Sequence, residues 1–204
     1  MSITDSFDNL KNRKPGILDQ ENSFISAVLV PLVNYQGQQC VLFEKRASDM
    51  NKQPGEICFP GGSVETSDEN EAAAAVRETC EELGLSADAI TLIAALDILV
   101  LPFNLIIYPY LCTIGDCSNI APNPDEVDSL IYVPLQDLQS MTPIQTKIKL
   151  SPVMPEDYPY ELIPNGKNYA WKPAYYPQYF YIWQGEAIWG ITARILNHVL
   201  RLIS

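Results

Sequence analysis

The chain has 204 residues, 47% hydrophobic and 19% charged, enough for one well-cored domain of ordinary soluble composition. Its formal net charge is −12 and no run of Lys or Arg occurs, so it lacks the basic footprint that polymeric nucleic acid or an anionic membrane requires. An anionic small molecule stays compatible with such a chain where cations bridge the two.

Residues 1–21 are polar, carry Pro15 and Gly16, and are read as an N-terminal arm ahead of a domain over 22–204. They lack the apolar core of a secretory signal, and no apolar run reaches transmembrane length. "FISAVLVPLV" (24–33) and "CVLFEKR" flank the turn "NYQGQQ" and predict a hairpin. "EICFP" predicts a short third strand ending at Gly61 and Gly62, "TLIAALDILVL" and "LIIYPYLCTI" two more, and "SLIYVPL" a strand running into the short helix "LQDLQSM". Residues 152–181 are rich in Pro and Tyr, and the alternation in "QYFYIW" suits a strand.

Two helices are expected. The first covers 68–83, with Ala72, Ala75, Val76, Thr79, Cys80 and Leu83 at helical spacing, Ser67 or Asp68 as N-cap and Gly84 as the stop. The second covers 187–203, with Ile188, Ile191, Ile195, Val199 and Leu202 on one face. Several strands with two well-spaced helices indicate an α/β fold, and an α/β/α sandwich around a mixed sheet accommodates them. Five cysteines (Cys40, Cys58, Cys80, Cys112, Cys117) at scattered spacings read as buried free thiols, which points to a reducing, cytoplasmic setting. His198, the only histidine, reads as a surface or packing residue.

The stretch "FPGGSVETSDENEAAAAVRETCEELGL" poses an electrostatic problem. Glu78, Glu81 and Glu82 share one helical face within a turn and lie at the helix C-terminus, where the macrodipole disfavours anions. Arg77 neutralises one of them; the remaining carboxylates match the hard oxygen ligands that Mg²⁺ or Mn²⁺ takes alongside water and phosphate oxygens. The two glycines upstream permit close approach of backbone to a ligand.

At these residues the chain resembles the Nudix hydrolases, whose box reads G-x5-E-x7-R-E-U-x-E-E-x-G-U, with U a bulky apolar residue. Gly62 and Arg77-Glu78-Thr79-Cys80-Glu81-Glu82-Leu83-Gly84-Leu85 carry the match. Thr79 stands where an apolar residue is usual. One extra residue separates Gly62 from Arg77, so counting from the glycine gives Asp68 and counting from the arginine gives Glu69 as its orienting acid. Helix register favours Glu69, since 63–67 would absorb the insertion. The resemblance implies a Nudix-type sandwich, divalent ions held by Glu78, Glu81 and Glu82 against a substrate diphosphate, and catalytic roles for Arg77 and Glu81. It also implies a further carboxylate from a later loop, as ligand or base, for which Glu126 in "NPDEV" is the candidate.

Upstream, "KRASDMNKQPGEICFPGG" resembles the motif that the coenzyme A diphosphatases of that family carry before the box. Arg46, Gly55, Ile57, Phe59, Pro60, Gly61 and Gly62 match, while Asn51 and Gln53 replace a basic residue and a histidine. Lys45, Arg46 and Lys52 offer charge, and with Gly61 and Gly62 the first two are the expected substrate contacts. "NPDEV", "VPL" and "AIWGITARIL" extend the likeness to the C-terminus. It implies cleavage of coenzyme A or acyl-CoA to 3′,5′-ADP and (acyl)phosphopantetheine. Alternatives are the same chemistry on ADP-ribose or a dinucleotide, a nucleotide-binding module without catalysis, and a plain acidic cation-binding protein. The aromatics of "YAWKPAYYPQYFYIW" are read first as core, and second as a cover for adenine or a pantetheine arm.

Overall fold

The computed structural model describes residues 7, 10, 11, 13–50 and 52–204. Most of the expected arm, residues 1–6, 8, 9 and 12, and also Asn51, lie outside the described residues. Where the arm meets the domain, a 3₁₀ turn at Gln20–Asn22 precedes the first strand, and Gln20 Nε2 donates to the Tyr108 hydroxyl at 3.0 Å.

The main sheet is mixed. Strands β1 (Phe24–Tyr35) and β2 (Gln38–Arg46) form a hairpin whose loop residues, Gln36 and Gly37, both have positive φ, the signature of a type I′ turn. The two strands pair only from Leu32 and Val41 to the turn. Beyond that point they part, and the segment that follows fills the fork: β3 (Ile57–Cys58) pairs with β2, and β4 (Gly61–Ser63) pairs with β1. Pro60 closes the gap by accepting a 2.9 Å bond from Leu29 N. On the other side β1 runs parallel to β7 (Leu105–Ile114), which carries β5 (Ile90–Ala95) and β6 (Leu99–Leu101) antiparallel; β8 (Val127–Pro134) flanks β2. The expected single strand "TLIAALDILVL" is thus two.

Alternation along β1 and β2 divides the interior into two cores. Leu29 and Leu42 face α1 (Glu71–Leu83), against Ala74, Ala75 and Leu83. Val30, Val41 and Phe43 face the opposite layer. Each buried Val, Leu or Phe side chain there contributes roughly 1.5–3 kcal/mol. That opposite layer combines α3 (Gly190–Leu202) with a separate antiparallel sheet of β9 (Ile144–Leu150), β10 (Ala174–Trp183) and β11 (Glu186–Trp189). A short α2 (Leu135–Ser140) follows β8. The result is the mixed α/β sandwich that the sequence implies, with a small sheet added to one outer layer.

Three boundaries differ from the sequence expectation. Helix α1 starts at Glu71 because Asn70, not Ser67 or Asp68, caps it, its Oδ1 accepting from Ala73 N at 3.0 Å. Residues 187–189, expected at the start of the last helix, belong instead to β11, formed through the positive-φ turn at Gln184 and Gly185, so Ile188 is core on a strand. The buried face of α3 is Ala193, Ile195, Leu196, Val199 and Leu200, while Leu202 is exposed.

Candidate active site

The fork between β1 and β2 is where the acidic helix meets the sheet. Gly61 has φ 139°, and a Cβ there would lie 2.3 Å from the Ala27 carbonyl, so only glycine lets β4 enter the fork. Its N–H donates to Glu82 Oε2 at 2.8 Å. A Cβ on Gly62 would lie 2.5 Å from the Glu78 carboxylate, so Glu78 rests directly over that residue. The glycine pair is the floor on which two of the three helix carboxylates sit.

The third stands apart. Glu81 is 58% exposed at its side chain and lies 3.5 Å from Arg77. Arg77 is held mainly by Asp68, through Nε to Oδ1 at 2.9 Å and Nη2 to Oδ2 at 3.0 Å. It also donates to the Ser63 carbonyl at 3.1 Å and pairs with Glu78 at 3.0 Å. The Asp68 contact raises the arginine's pKa, and the same pair holds the Asp68 carboxyl below its ordinary value. The orienting acid is therefore Asp68 and not Glu69. Helix register fails as a guide because both residues precede α1: Asp68 accepts from Glu65 N at 2.8 Å in a turn that aims its carboxylate back at Arg77.

A fourth carboxylate joins from β2. Glu44 follows Leu42 on the strand face turned to α1 and is 1% exposed. Its Oε1 accepts from Cys58 Sγ at 3.2 Å, and its Oε2 has no hydrogen-bond partner. Burial lifts Glu44 to about 7 and Glu82, 6% exposed, to about 9; the Glu44 charge adds to the rise of Glu82, whereas Glu82 slightly lowers Glu44 by hydrogen bonding. Burial also raises Glu78. Glu126 adds repulsion to all three. It is positioned from two sides. Asn123 N caps the C-terminus of α1 by donating to the Glu82 carbonyl at 2.8 Å, and the Glu126 carbonyl accepts from Ala47 N at 2.9 Å. Sequence reasoning missed Glu44, though a carboxylate in the inward phase of "CVLFEKR" was a readable signal.

Among the described residues no three His, Cys, Asp or Glu side chains converge closely enough to ligate an ion as they stand. The donor set nevertheless fits a divalent cation: four hard carboxylates repel one another in a poorly solvated fork, and a buried oxygen of Glu44 lacks any partner.

Beside the fork lies a cleft of about 420 Å³ between the main sheet and the small one. Gly61 and Gly62 form one end, Arg46, Lys52, Gln53 and Glu56 the rim, and Phe103, Tyr176, Gln178 and Trp189 the far wall. Arg46 thus stands where a substrate contact was expected. Lys45 does not: it forms a 2.6 Å ion pair with Glu186 that ties β2 to β11, and the register of β2 against β8 shifts between Lys45 and Arg46. The aromatic stretch divides. Tyr158, Tyr160, Tyr169 and Trp171 pack on one another, Tyr181 is core with its hydroxyl bound by Asn197 at 2.9 Å, and Tyr176 lines the cleft. His198 lies outside the cleft, 3.5 Å from Asp97.

A NUDIX domain family model matches residues 23–155, which contain the fork, α1 and Glu126. The chain is similar to Nudix hydrolase 3 of Caenorhabditis elegans, 27% identical over 194 residues that cover 92% of this chain and 77% of that protein. It is similar to the mitochondrial coenzyme A diphosphatase NUDT8 of Homo sapiens, 28% identical over 182 residues, covering 88% of this chain and 69% of that protein. It is also similar to the peroxisomal coenzyme A diphosphatase NUDT7 of Mus musculus, 33% identical over 109 residues; that match covers 53% of this chain and less than half, 46%, of that protein. The chain belongs to the NUDIX domain family as a Nudix hydrolase.

Proposed function

We propose that the chain cleaves the diphosphate of coenzyme A or an acyl-CoA to 3′,5′-ADP and (acyl)phosphopantetheine, with Mg²⁺ or Mn²⁺ as cofactor. The observation that carries the chemistry is the set of Glu44, Glu78, Glu82 and Glu126, mutually repelling beside a cleft floored by two glycines. Glu78, Glu81 and Glu82 would hold the ion. Bound there, a divalent cation supplies charge neutralisation for the diphosphate and acidifies a water. Glu126 takes the proton of the attacking water, whose oxygen bonds to phosphorus while the P–O–P bridge breaks and the leaving phosphate keeps the bridging oxygen. Arg77 keeps Glu78 oriented through their 3.0 Å pair, and Arg46 offers charge to the phosphates at the cleft rim.

The substrate reading is supported by the "KRASDMNKQPGEICFPGG" motif and by similarity to two proteins named as coenzyme A diphosphatases. In this reading the catalytic domain is 22–204 and the partner is a small nucleotide. Among the described residues no helix is long and apolar enough to cross a membrane. We place the activity in the cytoplasm, on the strength of five cysteines with no disulfide among them.

Product analysis by liquid chromatography and mass spectrometry tests the proposal: the protein and Mn²⁺ are incubated with coenzyme A, ADP-ribose, NADH and diadenosine polyphosphates. Release of 3′,5′-ADP with phosphopantetheine is expected. Turnover of another member alone overturns the coenzyme A reading, and no turnover at all overturns the hydrolytic one.

A further inference from the structure

We propose that Gln178 reads the hydrogen-bonding edge of the substrate's adenine, which makes the far wall of the cleft a base-recognition subsite. The inference rests on the chain being a hydrolase of adenine nucleotides and names the residue that would make it selective for that base.

Gln178 lies on β10 and lines the cleft, yet it is 6% exposed, and its carboxamide makes no hydrogen bond with any described residue. Since the carboxamide is not among the fully buried unpaired groups, its atoms still meet solvent at the cleft, where its donors and acceptor stand free of protein partners for a bound group to take up. The charged residues lining the cleft, Arg46, Lys52 and Glu56, all come from the rim segment, so the wall around Gln178 suits a neutral group. Flat apolar surface is at hand there. Phe103, 57% exposed, and Trp189, 41% exposed and stacked on Phe180, line the same cleft, and Tyr176, two residues before Gln178, lies edge-on to Phe103 at 5.9 Å. The other side of Tyr176 is taken by the Arg194 guanidinium at 4.8 Å, which fixes the ring as a wall.

Two neutral parts of coenzyme A could meet that carboxamide. The secondary amides of a pantetheine arm are trans, with N–H and C=O pointing in opposite directions, so either one offers Gln178 a single bond from a given side. Adenine presents a donor and an acceptor side by side on one edge, the pattern to which a glutamine carboxamide bonds in bidentate fashion. It also supplies the π-face that open aromatic rings stack on. The geometry therefore favours the base.

The test is calorimetric binding of ADP and of 1,N6-etheno-ADP, in Mg²⁺, to the wild-type chain and to Gln178→Leu. The etheno bridge blocks N1 and removes the N6 donor while keeping the stacking surface and both phosphates. The wild type should prefer ADP. Gln178→Leu should weaken ADP binding by about ten- to a hundredfold, the worth of a bidentate base contact, and leave etheno-ADP unchanged. Unchanged etheno-ADP binding also certifies that the variant's cleft is folded, and Gln178→Met, closer in length and flexibility, repeats the measurement. Equal losses for both ligands in both variants, no loss for ADP, or no wild-type preference would each overturn the inference. The assay needs no turnover: if coenzyme A is not cleaved while the ADP preference is present and Gln178-dependent, the proposed substrate fails and the subsite stands.

Discussion

Asp68 grips Arg77 through two parallel contacts, 2.9 Å and 3.0 Å, from a turn that lies before the helix carrying the arginine. Arg77 in turn pairs with Glu78, whose carboxylate covers Gly62. Asp68 is 5% exposed at its side chain, so this is a bidentate, partly buried pair and not a solvent-screened surface contact. Asp68→Asn should lower the melting temperature and lower kcat by about tenfold through misplacement of Glu78. Glu69→Gln should change neither beyond error. Thermal melts and initial rates of the two variants check this, and equal effects would sink the assignment of Asp68.

Glu82 and Glu44 test the metal reading. Both carboxylates are raised, first by burial and then by neighbouring carboxylates, Glu126 for both and Glu44 and Glu78 for Glu82, so the ion-free fold is burdened by them. Glu82→Gln should lower activity by orders of magnitude while leaving ion-free stability equal or higher, because it removes a repelling charge and no apolar contact. The wild type should gain melting temperature with Mg²⁺ or Mn²⁺ by mass action, and the variant should not. Glu44→Gln should reduce that gain in part. A Glu82→Gln protein with full activity and an undiminished metal-induced shift would remove the site from this fork.

The same two groups set a pH dependence. A carboxyl raised in the folded state holds its proton more tightly there than in the unfolded chain, so ionisation is penalised only on folding. Stability of the metal-free protein should therefore fall as pH rises from the ordinary value of 4.5 through about 7 for Glu44 and about 9 for Glu82. Because ions and protons compete for these oxygens, the Mg²⁺-induced rise in melting temperature should grow over the same interval. Melts in matched buffers from pH 5 to 9, with EDTA or Mg²⁺, decide it; a metal-free melting temperature that climbs across the range contradicts the burial of both groups.

What the sequence made legible follows from physics of short reach. The β1–β2 hairpin and the glycine pair are local patterns and lie where they were read; of the three helix carboxylates Glu78 and Glu82 meet the glycines while Glu81 stands apart. The misreadings are of two kinds. Local turns overrode register at Asp68 and at 187–189, where positive-φ residues folded a predicted helical turn into β11. Tertiary placement decided the rest. Lys45 and Arg46 are adjacent, yet the register shifts between them, and one goes to Glu186 and the other to the cleft. Glu44 had a local signal in its apolar strand, but its unpaired oxygen became visible only once β2 met α1, and Gln178 became a candidate only once β10 met the cleft.

The two glycines should separate fold from function. At Gly61 an alanine methyl would meet the Ala27 carbonyl at 2.3 Å from a backbone with φ 139°. The obstacle is main chain, so the fork must open. Conformational strain alone costs about 1–3 kcal/mol there, and Gly61→Ala should melt well below the wild type. At Gly62 the methyl would meet the Glu78 carboxylate at 2.5 Å, the movable end of a side chain, from an unexceptional backbone. Gly62→Ala should therefore fold with a near-normal melting temperature, yet displace Glu78 from the glycine floor and lose much of both activity and the metal-induced shift. Melting curves with and without Mg²⁺, read beside kcat, distinguish the two. A Gly62→Ala protein that keeps its metal response would show that Glu78 finds an equivalent position without resting on that glycine.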